Sequence, residues 1–207
     1  MSSFFDNTKT VGMAFLIVGF ILIADAILTI VLGFLYDNLD AKVTEGFEKE
    51  KWMLYCVIGG IGSFICACLY AFFANKVFNG TYSQKIVILE KYVRIVGITI
   101  ALGGIFNAVA EIAGGKDVGA SLIGAILAVI IGLVIVFIST KINDGKETVG
   151  DSIIWILLLI AFILLLIFSI LEAISLVGII DGIAHVIIAL FMIAFLFDPE
   201  VKSKMNM

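Results

Sequence analysis

From Val118 to Thr140 no residue carries a charge, and from Ser152 to Leu176 only Glu172 does. Apolar stretches of about 18 residues or more are long enough to cross the roughly 30 Å hydrocarbon core of a bilayer. Six such stretches are expected here, at 11–36, 52–74, 94–114, 118–140, 152–176 and 178–197. In lipid every backbone N–H and C=O must be satisfied internally, so the spans are predicted to be helices; the alternating segments of a barrel are absent. The last two are divided at Gly178 and Asp181-Gly182, since 152–197 otherwise reads as one run. The expected fold is all-α, an integral membrane six-helix bundle forming a single transmembrane domain over 1–207.

Composition agrees. The chain is 62% hydrophobic and 14% charged, against about half and a quarter for a soluble domain. With no basic patch interleaved with aromatics, nucleic acid is not an expected partner; the lipid bilayer is. Cys56, Cys66 and Cys68 share one span, and Cys66 and Cys68 point in different directions on a helix, so they read as packing residues. Three scattered thiols and one histidine make no metal site, and no cofactor is expected. Lys9, the apolar run after it and Ala24-Asp25-Ala26 imitate a signal peptide. The run is too long for a cleaved leader, and it reads as a retained first span.

The basic residues set the orientation. Lys9, Lys76, Lys85, Lys91, Arg94, Lys141, Lys146, Lys202 and Lys204 fall on one side, and Lys42, Lys49, Lys51 and Lys116 on the other. Nine against four places both termini in the cytoplasm of a multi-pass cell-membrane protein. The charged 37–51 loop then faces outward.

Each odd-numbered span carries one late acid, Asp25, Glu111 and Glu172, and two even spans leave through similar turns, 75–80 and 140–145. This points to three repeated two-helix hairpins. Span 4 bears Ala120, Gly124, Ala128 and Gly132 in one stripe, the kind of surface that lets helix backbones approach in lipid. It is expected at the centre of the bundle or on the seam of a homo-oligomer.

Ionisable groups inside spans cost several kcal/mol and mark candidate sites. At 1.5 Å per residue, Asp25, Glu111 and Glu172 lie about 21, 25 and 30 Å from the cytoplasmic end, all in the outer half. Asp25 with Thr29, Asn107 with Glu111, and Asp181 with His185 share helix faces at i,i+4. Ligand- or proton-binding candidates are therefore Asp25, Asn107, Glu111, Glu172, Asp181 and His185. The inner half offers almost no polarity beyond Ser139 and Thr140. Such a cluster fits groups that fix helix register, or an outward-facing pocket, better than a path across. Transport of a proton or cation through the carboxylates is the alternative. A membrane-embedded enzyme ranks last: there is no HExxH, no phosphate loop, and Gly59-Gly60-Ile61-Gly62 lies inside a span.

Residues 119–135, then an apolar helix ending Phe168-Ser169-Ile170-Leu171-Glu172-Ala173-Ile174, resemble the short hairpin repeat of the HdeD-like membrane proteins. Gly104-Ile105 to Glu111 matches the repeat's second half, and Gly182-Ile183-Ala184-His185 to Asp198-Pro199 a first half ending in proline. The resemblance covers 52–199. It implies an inner-membrane protein associated with acid or envelope stress, and it brings no catalytic residues.

Overall fold

A computed structural model describes residues 7–39, 43–145, 149–174 and 179–207, without the side chains of Glu172 and Asp181. Ser175, Gly178 and Lys146 lie outside the described residues, as do Asp40 and Lys42. The elements are α1 Thr8–Gly33, α2 Lys49–Phe78, α3 Lys85–Ala113, α4 Val118–Ser139, α5 Val149–Ile174, α6 Ile179–Leu196 and the short α7 Pro199–Lys204. A single 3₁₀ turn, Tyr36–Asn38, follows α1. Among the described residues there is no strand.

Five of the helices, α1 to α5, are long and apolar enough to cross a membrane, which is the pattern of a multi-pass membrane protein. The sixth expected span is a shorter apolar helix. Span 3 begins well before the expected Arg94, at Lys85, so Lys85, Lys91 and Arg94 are helical rather than loop. The reason is packing. Ile86, Ile88 and Leu89 are fully buried, so the helix continues past its apolar stretch to cover protein surface. Only residues 79–84 connect α2 to α3.

Caps mark the helix starts where the sequence supplies an oxygen. The Asn7 side chain accepts from the backbone N–H groups of Lys9 and Thr10 at 3.1 and 3.3 Å. Asp117 accepts from Ala120 N at 2.7 Å, and Asp198 from Glu200 N at 2.9 Å with Pro199 opening α7. Each cap satisfies a donor that the first helical turn leaves unpaired.

Consecutive helices run antiparallel. Gly12 lies against Phe78, Gly19 against Ala71, and Gly33 against Met53, so α1 and α2 are in contact along their length. A Cβ at Gly12 would come within 2.3 Å of Phe78 N, a backbone atom that cannot step aside. The strongest pairings are α1 with α2, α3 with α4, and α5 with α6. Helices α2 and α3 join the first two pairs, and α1 and α6 join the first to the third. All helix starts and ends thus sort into a terminal end, holding Thr8, Phe78, Lys85, Ser139, Val149 and Leu196, and an opposite loop end.

Helix α4 lies at the edge, not the centre. Its one substantial neighbour is α3, and Phe137 on its outer side is 64% exposed. Half of its small-residue stripe makes the contact. A Cβ at Gly132 would meet Gly97 O at 2.4 Å, and one at Gly104 would meet the Ala128 Cβ at 2.2 Å. Ala120 and Gly124 remain exposed. The structure therefore splits the expected stripe into a packed half and a bare half.

The core concentrates toward the terminal end. Phe15, fully buried, stacks edge-on or tilted against Tyr70, Phe73 and Phe191, with ring centroids 5.3–6.3 Å away. Tyr92 joins Tyr70, Phe73 and Phe162 at 6.0–6.5 Å. Aromatics from α1, α2, α3, α5 and α6 form one layer.

Candidate functional site: a polar cavity among four helices

Helices α1, α2, α3 and α6 surround a cavity of about 260 Å³. Its lining follows helical periodicity. On α2, Gly59, Ser63, Cys66 and Tyr70 fall at i, i+4, i+7 and i+11; on α3, Tyr92, Val96, Thr99, Gly103, Phe106 and Asn107 trace one stripe. Asp25 and Leu22 come from α1, and His185 and Ile188 from α6.

Of the six expected site residues, the structure brings Asp25, Asn107 and His185 to this one cavity, from three different helices. Glu111 stands apart. Its carboxylate accepts from Ser121 Oγ at 2.9 Å and pairs with Lys116 Nζ at 3.4 Å, so it braces the α3–α4 turn. Lys116 in turn lies over the rings of Phe47 and Tyr55. The side chains of Glu172 and Asp181 lie outside the described residues. Thr29, expected as a partner for the Asp25 carboxylate, instead donates its hydroxyl to the Asp25 main-chain carbonyl at 3.1 Å. That i−4 bond is the usual resting place of a helical threonine hydroxyl.

Sequence reasoning missed Ser63, Cys66, Tyr70, Tyr92 and Thr99. Their signal was present as spacing: Ser63 and Tyr70 are seven apart, as are Tyr92 and Thr99, so each pair shares a helix face. Two of these side chains are already committed. Thr99 Oγ1 donates to Val96 O at 3.0 Å, and the Cys66 thiol points to Thr99 O at 3.7 Å, tying α2 to α3. The Tyr70 hydroxyl is different. Tyr70 is only 5% exposed, and its oxygen is fully buried without a hydrogen-bond partner. A buried hydroxyl left unmatched costs about 1–3 kcal/mol, so such atoms call for an occupant.

The cavity is asymmetric. Ser63 and Asn107 are exposed, whereas Tyr70 and Tyr92 are buried. Beneath those tyrosines lies the aromatic layer of Phe15, Phe73 and Phe191. The space is open toward the loop end and floored toward the terminal end.

Polarity does not stop at mid-bundle, contrary to the sequence expectation. At the terminal end Glu90, 8% exposed, pairs with Lys91 and Arg94 at 2.8 Å each, and Arg94 reaches Ser139 Oγ at 3.4 Å. Lys85 pairs with Asp198, joining α3 to the start of α7. Trp155 donates to Leu196 O at 2.8 Å, and Val201 and Met205 are fully buried. The charges were visible in sequence, but their neutralisation by partners was not. Glu90→Ala removes the buried carboxylate that Lys91 and Arg94 share, and is expected to destabilise by about 1–3 kcal/mol in a denaturant or thermal melt. Glu48→Ala, whose pairing with Lys51 is exposed, should change little by the same measurement.

Among the described residues no three His, Cys, Asp or Glu side chains gather to hold a metal. The chain matches no model of a known protein family, no curated protein and no solved structure.

Proposed function

We propose that this chain is a multi-pass membrane protein, with both ends in the cytoplasm, that admits a small polar molecule from the outside into the cavity among α1, α2, α3 and α6. The convergence of Asp25, Asn107 and His185 from three helices on one space carries this reading. Polar groups inside a span are costly, and gathering them at a shared cavity is how such groups find use. The aromatic floor favours holding over conducting. The resemblance of the hairpins to HdeD-like proteins adds a role in acid or envelope stress to the proposal, and the bare Ala120–Gly124 side of α4 adds a second copy as a possible neighbour.

The test uses Cys66 as a reporter of water. Thiol reagents react with the thiolate, which needs hydration, so labelling of Cys66 in protein carrying Cys56→Ala and Cys68→Ala reads access to the cavity. Gly103→Leu supplies the plug. A Cβ at Gly103 meets nothing within 4 Å, so the new side chain enters open space. The variant is expected to melt no lower than its parent, since leucine replaces glycine in a helix. Labelling should slow about tenfold or more, the factor that roughly 1.4 kcal/mol of access cost produces. Equal labelling with and without the plug sinks the reading. Applying a membrane-impermeant reagent to sealed vesicles of each orientation tests the outward mouth.

A second reading, proton or cation transport, draws support from the Tyr70 and Tyr92 hydroxyls, which carry the polar lining past mid-bundle. Reconstituted protein that passes neither above empty liposomes would end it.

A further inference from the structure

The cavity's chemistry narrows what it takes, given the reading that it is a binding site. Among the described residues, Asp25 is the one carboxylate of its lining, His185 the one other titratable group besides thiol and phenol, and no lysine or arginine lines it. A cation entering a low-dielectric space beside a carboxylate is compensated; an anion is not. Size argues against a bare metal ion. The cavity of about 260 Å³ is several times the roughly 30 Å³ share of one water. The rings of Tyr70, Tyr92 and Phe106 line it, and aromatic faces attract cations that keep an alkyl body against them. The Tyr70 oxygen, buried and unpartnered, stands ready to accept an N–H.

We infer that the cavity binds a small organic ammonium ion, with Asp25 as its counter-ion and the Tyr70 hydroxyl accepting one of its N–H groups. Asp25 and His185 already hold partners within the protein. Binding gives the Tyr70 hydroxyl a partner that it lacks within the protein.

The experiment uses full-length protein in detergent and butylammonium as the probe, with butyrate and butanol at equal concentration and ionic strength. Two readouts run together, thermal shift and protection of Cys66 from labelling. Butylammonium should give a saturable effect on both; butyrate and butanol should not. Asp25→Asn should weaken its apparent affinity tenfold or more. Tyr70→Phe, which keeps the ring and its packing, should weaken it about three- to tenfold, the loss of one hydrogen bond. Butyrate or butanol acting as strongly as butylammonium would overturn the inference. So would unchanged affinity in Tyr70→Phe together with Asp25→Asn. If Cys66 is labelled and Gly103→Leu blocks it, yet butylammonium has no effect, the ammonium assignment fails and the binding cavity stands. If Cys66 is never labelled and no probe shifts the melt, both fall.

Discussion

Replacing Gly132 by leucine is expected to release α4 from the rest of the bundle. The Gly132 Cβ would sit 2.4 Å from Gly97 O, and a Cβ at Gly97 would sit 2.6 Å from Gly132 O, so each glycine exists to let the other's backbone pass. Neither carbonyl can yield without moving its helix. Overpacking of this kind costs about 1–3 kcal/mol where side chains can adjust, and here the obstacle is backbone, so the upper end or more is expected. Because α4 has α3 as its one substantial neighbour, the loss falls on a single seam. A cysteine pair placed across α3 and α4 should cease to cross-link in Gly132→Leu while one across α1 and α2 persists. Gly124→Leu is the control. It lies on the same stripe, but its Cβ meets nothing within 4 Å. It should melt within about 0.5 kcal/mol of the parent, as exposed substitutions do. Should Gly124→Leu instead halve the particle mass in light scattering, the bare half of the stripe is a seam between two copies.

The contrast between Gly132 and Gly124 also shows what could be read from sequence. The stripe itself was legible, because small residues four apart must share a helix face. Which half would be covered was not, because helix rotation and tilt in a membrane are set by neighbours rather than by the helix's own pattern. The same distinction separates Asp25 from Glu111. Both stand out as acids in apolar runs, yet Asp25 lines the cavity while Glu111 is spent on Ser121 and Lys116. Span lengths were legible for five helices, since hydrocarbon thickness imposes them. The start of α3 was not, because ten residues with four charges read as loop until Ile86, Ile88 and Leu89 are seen to be buried. Tyr70 and Tyr92 escaped for a different reason. A tyrosine in an apolar run counts as hydrophobic, and only its position opposite another helix's polar stripe reveals that the hydroxyl matters.

Phe15→Ala is expected to have the largest effect in the molecule, because it removes the centre of the floor. The ring touches Tyr70 and Phe73 of α2 and Phe191 of α6, and it is fully buried. Phenylalanine-to-alanine changes in soluble cores cost about 3–5 kcal/mol, part transfer and part cavity. A helix that undocks into lipid regains apolar contact, so the transfer part shrinks and about 2–4 kcal/mol remains. The functional consequence is separable from the stability loss. The hole left by the ring lies just beyond Tyr70 and Tyr92, which close the terminal side of the cavity. Removing it thins the layer between the open upper space and the terminal end, where Val11, Val77 and Ile86 are fully buried. Liposomes holding Phe15→Ala should leak small cations above those holding the parent protein, and Phe15→Leu, which refills most of the volume, should restore the seal. A parent that already leaks as fast as Phe15→Ala would mean that the aromatic layer is no barrier, and the cavity would then belong to a path across the membrane. A tight parent beside a leaky variant would place the closed end of the site at Phe15.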